Sequence, residues 1–377
     1  MNQKAYEAIF MRGGTSKGVF FRDDWIPTAR AERDPIFVEA LGSPDPYGRQ
    51  LNGMGGGVSS VSKAVVVGLS DVEGADVDYT FAQVLIDKPE ADYSATCGNL
   101  SSAVGPFAVD TGLMAANADG SFTVRVFNTN TQKIYHATFE VRDGGFQPAG
   151  DFEIPGVGGS GSAIRLDYLD PGGATSGSLL PSGNALDVLD VPGVGKVEAS
   201  LVDASNAVVF VAAERFGKTG AETVSELEAD TAFMQALDAV RCVAAVAMGL
   251  AESPDAAAAG NPKIGIVGKP IASMSLSGAK IDADSHDLAA RIVSMGQVHR
   301  VLPLTGAMCL GVACRIPGSV PHALCRTQPG DLRLSNPSGV LPVDADVTAD
   351  NTSVVANSCT VYRTARALMQ GKVWVPN

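Results

Sequence analysis

Thr96-Cys97-Gly98-Asn99-Leu100 is the stretch on which the reading of this chain turns. It sets one thiol between a run with strand character, residues 83–86, and a run of small residues, 101–109, that predicts a closely packed helix. A strand delivering the chain to a buried helix is an α/β arrangement. The unpaired amides of a helix start stabilise a thiolate, so Cys97 reads as a proton donor or acceptor near neutral pH. A small buried hydrophobe is the other reading of the same residue.

A second small-residue segment, Gly55-Gly56-Gly57-Val58-Ser59-Ser60-Val61-Ser62, leads into Lys63, and residues 53–63 hold four glycines and three serines. Backbone of that kind admits close approach to a ligand, which makes Lys63 a candidate base beside the alternative of a solvated lysine. As a base it requires enclosure or a neighbouring cation. Upstream, residues 7–11 and 18–21 read as strands joined by the donor-rich turn Arg12-Gly13-Gly14-Thr15-Ser16-Lys17. Its order is not that of a phosphate loop, so it reads as a tight hairpin or a carboxylate-binding turn. Residues 29–41 predict a helix ended by Gly42-Ser43-Pro44-Asp45-Pro46-Tyr47-Gly48, and 63–67 a strand.

Strand patterns recur at 122–128, 134–141 and 163–169. Residues 170–184, rich in Gly, Ser and Pro, read as a long loop at a domain junction, with Ser178, Ser182 and Asn184 as candidate ligand contacts. Beyond it, strands are expected at 197–202, 207–211 and 263–267, one or two helices within 221–248, and a further helix at 285–294. A polar loop from His299 to Thr305 and Gly306 then feeds a second small-residue helix at 307–314, loosely repeating the approach to Cys97. The carboxyl end reads as strand 355–359, helix 362–369 and strand 371–375. Two related α/β domains are the economical reading: 1–184 with 355–377, and 185–354.

A chain of 377 residues, 45% hydrophobic, has the core for about two to three domains. Its 41 acidic and 28 basic side chains give a net charge of −13, which argues against broad nucleic-acid contact and against anionic membrane surfaces. A small anion held by local amides and a few cations remains compatible with that field. The start Met1-Asn2-Gln3-Lys4 lacks secretory features and no apolar run reaches the roughly 18 residues of a membrane span, so a cytoplasmic location is expected.

Six cysteines, at 97, 242, 309, 314, 325 and 359, form neither a CxxC pair nor a disulfide framework and are expected to be reduced. Four widely spaced histidines match no metal motif, so no metal is expected, and His299 is taken as a candidate ligand contact. There is no G-x-S-x-G elbow and no dinucleotide fingerprint, which favours chemistry without a cofactor. An apolar helix stripe serves as core or as interface, so a homodimer is allowed without being required.

Several separated motifs, in order, carry a family resemblance: Met11-Arg12-Gly13-Gly14-Thr15-Ser16-Lys17-Gly18, the 42–48 segment, Gly53-Met54-Gly55-Gly56, Ser59 through Lys63, Asp87-Lys88-Pro89, and Cys97-Gly98-Asn99-Leu100. Together they resemble the 2-methylaconitate cis-trans isomerase (PrpF) family, over almost the whole chain and including Arg363-Thr364-Ala365-Arg366-Ala367-Leu368-Met369. The resemblance implies a diaminopimelate-epimerase-like fold of two related α/β domains, each a mixed sheet curled around a central helix, with the active site in the interdomain cleft. It marks Lys63 as the catalytic lysine and Cys97 as the active-site cysteine. The segment around Cys309 lacks the cysteine-centred motif of amino-acid epimerases, so a two-thiol racemase is not expected.

The family's reactions are 2-methylaconitate isomerisation, 4-oxalomesaconate tautomerisation and methylitaconate double-bond migration, all proton shifts beside an unsaturated carboxylate without a cofactor. The expectation is therefore abstraction of an allylic proton by Lys63, with Cys97 returning it or holding substrate. Amides at Gly98, Asn99, Thr305 and Gly306 would stabilise the oxyanion. Arg12, Thr15, Ser16, Lys17, Ser59, Ser60, Ser178, Ser182, Asn184 and His299 are the remaining candidate contacts to a di- or tricarboxylate. A noncatalytic carboxylate-binding protein is the rival of a different class.

Overall fold

The computed structural model describes residues 3–94, 96–326, 330–350 and 353–376, and the chain divides into two compact units. The first comprises Met1–Asp167 with Tyr362–Asn377, the second Tyr168–Val361. In the first, β1 (Gln3–Gly13) and β2 (Ser16–Arg22) form an antiparallel hairpin in which Arg12 faces Lys17 and Gly13 faces Ser16. The C-terminal strand, Ala365–Pro376, pairs antiparallel with β1. β3 (Lys63–Leu69) runs parallel to β2, and β4 (Val77–Val84) antiparallel to β3 with Lys63 opposite Gln83. Gly120–Asn128 and Lys133–Arg142 extend this mixed sheet.

Strand alternation sorts the two faces of that sheet. Val19, Phe21, Ala64, Val66 and Ala82 share a core with Ile36, Phe37 and Leu41 of α1 (Arg30–Leu41). Phe20, of opposite parity, packs instead on Phe107 of α2 (Ser101–Asp110). Every residue of α2 from Ser101 to Val109 is buried, as expected for a helix apolar on all sides. Glycine at 105 lets α2 come in close, since a Cβ there would lie 2.4 Å from Phe139 Cε1.

In the second unit, Asp187–Val191, Gly195–Asp203 and Ala207–Ala212 run antiparallel in sequence, and Lys263–Gly268 lies parallel to the last. Leu288–Ser294 pairs antiparallel with Lys263–Gly268, and Leu332–Asn336 pairs with both Leu288–Ser294 and Gly339–Ala349. One sheet face carries Val197, Val209, Ile264 and Ile266 against Phe233, Leu237, Val240 and Ala244 of α4 (Thr231–Ala247), preceded by the short α3 (Val224–Ala229). The other face receives α5 (Leu304–Arg315), buried from Gly306 to Cys314 and touching Ile292, followed by α6 (Val320–Leu324). Each unit is thus a mixed sheet with one fully buried helix, α2 or α5.

Two expected helices are strands. Residues 285–294 contain good helix formers, yet Leu288–Ser294 is buried on both faces between two partner strands, and tertiary burial overrides propensity. Residues 362–369 are divided between Val354–Arg363 and Ala365–Pro376, the latter paired along the length of β1. The unit boundaries also differ from 184 and 355. Gly173 N donates to Asp203 O, and Thr175 and Ser176 N to Asp203 Oδ2, which fastens the 170–184 loop to the second unit. Residues 354–361 stay there too, paired with Gly339–Ala349.

Candidate active site

Ser16 and Gly18 lie on the α2 face of β2, with the same parity as Phe20, and Lys63 and Gln83 lie on the α2 face of β3 and β4. Lys63 is 8% exposed, and its Nζ donates to Gln83 Oε1 at 2.7 Å while sitting 4.8 Å from the centre of the Phe81 ring. Gln83 is itself oriented, because its amide donates to Ser62 O (2.8 Å) and Ser59 O (3.1 Å). The Lys63 amino group is therefore held by a partner whose own direction is fixed.

Cys97 is 7% exposed, and its thiol reaches Ser16 Oγ at 3.8 Å. Its carbonyl accepts from Ser101 N (3.0 Å), Ser101 Oγ (3.1 Å) and Tyr79 Oη (3.1 Å), which locks the residue at the entry to α2. The side chain bonds Ser16 rather than the helix amides. Gly98 and Asn99 offer N–H groups with no backbone partner among the described hydrogen bonds. Asn99 is clamped from both sides, its Nδ2 donating to Thr15 Oγ1 (3.1 Å) and its Oδ1 accepting from Arg363 Nε (3.2 Å).

The hairpin tip explains how distant segments meet. A Cβ on Gly13 would lie 2.7 Å from Asn99 O, and one on Gly18 would lie 2.9 Å from Lys63 O and 3.0 Å from Leu100 Cδ1. One stretch of β2 therefore abuts the Cys97 loop and the Lys63 strand together. Ser59 and Ser60 form the 3-10 turn immediately before Lys63, with Ser59 exposed and Ser60 half-buried.

Arg12 and Lys17 are opposite one another on the α1 face, away from Ser16 and Gly18. Lys17 Nζ stands over the Phe10 ring at 5.7 Å. Arg12 Nη1 donates to Gly14 O and Thr364 O, and burial followed by the charge of Arg366 lowers its pKa. The cation that meets the Asn99 turn is Arg363, 8% exposed. Sequence reasoning also passed over Gln83, whose role comes only from its register opposite Lys63. The glycines before Lys63 are taken up largely by packing: a Cβ on Gly53 would lie 2.2 Å from Gly42 N, and one on Gly55 2.3 Å from Gln50 Oε1.

Within the second unit the candidate residues do not converge. Ser182 Oγ and Asn184 Nδ2 both donate to Asp187, and Ser178 Oγ donates to Leu180 O, so this loop is fastened internally. Thr305 Oγ1 accepts from Asn206 Nδ2 at the start of α5. Gly306 is required by packing, since a Cβ there would lie 2.9 Å from Ile292 Cδ1. His299 lines a cavity of about 860 Å³ with Glu228, Thr231, Met234 and Arg300, and its pKa is lowered by burial and then by Lys263. Among the described residues no group of three or more His, Cys, Asp or Glu is placed to hold a metal, and no helix is long and apolar enough to cross a membrane.

The family model for the PrpF protein matches residues 3–376. The 2-methyl-aconitate isomerase of Shewanella oneidensis is 38% identical over 98% of this chain and 96% of its own length. The 4-oxalomesaconate tautomerase of Pseudomonas putida is 35% identical, covering 100% and 97%. In crystal, a methylitaconate-delta-isomerase superposes with a TM-score of 0.93 at 35% identity, over 100% of this chain and 97% of that one.

Proposed function

The chain belongs to the PrpF protein family, and on that premise we propose that it is a cofactor-independent isomerase moving an allylic proton in an unsaturated di- or tricarboxylate, with 2-methylaconitate as substrate. The observation that carries this reading is the strand face from Ser16 to Gly18, which abuts the Cys97 thiol at one end and the Lys63 backbone at the other. Two residues of strand span about 6.6 Å, the scale of a small conjugated polycarboxylate.

Neutral Lys63 takes the allylic proton, and Gln83 fixes the direction of its nitrogen. Charge then spreads from the carbanion into the neighbouring carboxylate, where the Gly98 and Asn99 amides stabilise it. In that anion the former double bond loses its barrier to rotation. Reprotonation by Cys97, at the same or the conjugated carbon, completes a cis-trans change or a double-bond shift. General acid-base catalysis of this kind contributes roughly 10²- to 10⁴-fold. The preference for 2-methylaconitate is supported by the 38% identity to the S. oneidensis isomerase, against 35% for the P. putida tautomerase.

The test is turnover of 2-methylaconitate, 4-oxalomesaconate and methylitaconate side by side in D₂O, following double-bond position and deuterium uptake by NMR. Rapid conversion of 2-methylaconitate alone is expected. Conversion of only one of the other acids transfers the assignment to it, and binding without allylic exchange makes the protein a carboxylate binder. Lys63→Ala should retain the wild-type circular dichroism and lose turnover; near-normal turnover removes Lys63 from the mechanism.

A further inference from the structure

The sheet face that carries Lys63 and Gln83 also carries Tyr79 and Asn128, a pair of polar side chains to which the proposed chemistry gives no step. They stand in register on the neighbouring parallel strands β4 and Gly120–Asn128, with Asn128 3% exposed and Tyr79 fully buried. We propose, resting on the function proposed above, that Asn128 is a positioning residue of the isomerase: by holding Thr96 it fixes the direction of the Cys97 thiol.

The turn that follows Asn128 sets its amide. An asparagine side chain accepts from backbone N–H groups a few residues on, and Asn128 Oδ1 takes Asn130 N at 3.0 Å and Thr131 N at 3.3 Å. With the oxygen engaged, Nδ2 is left to donate, and it meets Thr96 Oγ1 at 2.6 Å. The turn is anchored independently of the loop it holds. Asn130 accepts from Phe81 N at 2.8 Å and donates to Phe81 O at 2.9 Å, while Thr129 N donates to Tyr79 O at 3.0 Å. Asn130 Nδ2 also reaches Tyr93 O at 2.9 Å, so the same turn grips the chain on its way to Thr96.

Thr96 is exposed, so the bond to Asn128 and not packing holds it. On the far side, the Cys97 carbonyl is held by Ser101 and by Tyr79 Oη. The two anchors flank the Cys97 Cα. Together they set the direction in which the thiol leaves the chain, toward Ser16 Oγ at 3.8 Å. A proton donor released from that direction is misplaced by a fraction of the reach that proton transfer tolerates.

Thr96→Val tests this at an exposed side chain, because it removes the hydroxyl and keeps the branched shape. Expected are an unchanged circular dichroism spectrum, a kcat lowered roughly 10-fold with little change in KM, and recovery in Thr96→Ser. Asn128→Ala should lower kcat at least as far, and the double variant no further than Asn128→Ala alone, since both changes break the same bond. Losses that multiply in the double variant overturn the proposal, as does a KM that rises with kcat unchanged. Iodoacetamide alkylation of the full-length protein, with peptide mapping of Cys97, reads the thiol without turnover. Labelling several-fold faster than wild type is expected in both single variants, as the thiol leaves its 7% exposed setting. Wild-type labelling rates in both overturn the proposal. Absence of allylic exchange in the wild type refutes the proposed function instead, and the alkylation rates then decide the placement of the thiol on their own.

Discussion

Gly18→Ala perturbs the contact that joins the two halves of the candidate site. The added Cβ would lie 2.9 Å from Lys63 O, 3.0 Å from Leu100 Cδ1 and 3.3 Å from Lys63 Cβ, whereas ordinary contact begins at 3.4 Å. Leu100 Cδ1 is a side-chain end that can swing away, but Lys63 O belongs to a strand paired on both sides. The β2 and β3 backbones must therefore separate by about 0.5 Å. Overpacking of this kind costs about 1–3 kcal/mol, and the lower entropy of an unfolded alanine returns about 0.4–1 kcal/mol. A net loss of about 1–2 kcal/mol follows, a fall in melting temperature of about 2–8 °C for a unit of this size. The rate should suffer more, because misplacement of about 1 Å costs roughly 10²-fold and half of it roughly 10-fold. Allylic deuterium exchange by NMR and thermal unfolding measure the two effects separately. Gly158→Ala, whose Cβ would meet nothing within 4 Å, is the control and should change neither. Wild-type exchange and melting in Gly18→Ala would refute the assignment of this contact as the one that sets Lys63.

Gln83→Leu removes the acceptor that orients the neutral Lys63 amine, a bond of about 0.5–1.5 kcal/mol, and should lower kcat by roughly 2- to 10-fold with little change in KM. Gln83→Glu keeps an acceptor but adds a charge that favours the ammonium, so the acidic limb of its pH-rate profile should move upward; an unmoved limb would assign Gln83 a purely structural role. Asp110 ends α2, where a carboxylate opposes the helix dipole, and burial raises its pKa against the lowering effect of the Phe146 N–H. Asp110→Asn keeps that acceptor and should stabilise the protein by about 0.3–1 kcal/mol at neutral pH. Because the native pKa is raised, wild type recovers relative stability as pH falls through the carboxylate range, and the gain should vanish there in acid-titrated thermal melts.

Local signals disclosed the buried helices. Small apolar residues around Cys97 and Cys309 pack closely on every side, and α2 and α5 were expected within a few residues of their bounds. The same local reading failed at Leu288–Ser294 and at residues 362–369, where helix-forming residues are committed by partner strands remote in sequence, while the strand expected at 371–375 lies within Ala365–Pro376. It failed for a related reason in the site. Nothing adjacent to Lys63 announces Gln83, since the contact exists only in the register between β3 and β4. Arg12 and Lys17 were legible as cations in a glycine turn, but a two-residue period decides which face they take, and that period puts them opposite Ser16 and Gly18.

This parity bears on how a polycarboxylate substrate would be held. If Arg12 or Lys17 gripped a carboxylate beside Cys97, the hairpin would have to turn by one residue, exposing Phe20 and Val19 to exchanged environments on both sheet faces. Val19, Phe20 and Phe21 are each fully buried, so that slip would strip three packed side chains at about 1.5–3 kcal/mol each for the large ones. The cost exceeds what one surface ion pair returns, about 0–1 kcal/mol. Within the first unit, the groups left on the Cys97–Asn99 side to meet a carboxylate, on the proposed function, are the Gly98 and Asn99 amides and Arg363, whose Nε reaches Asn99 Oδ1.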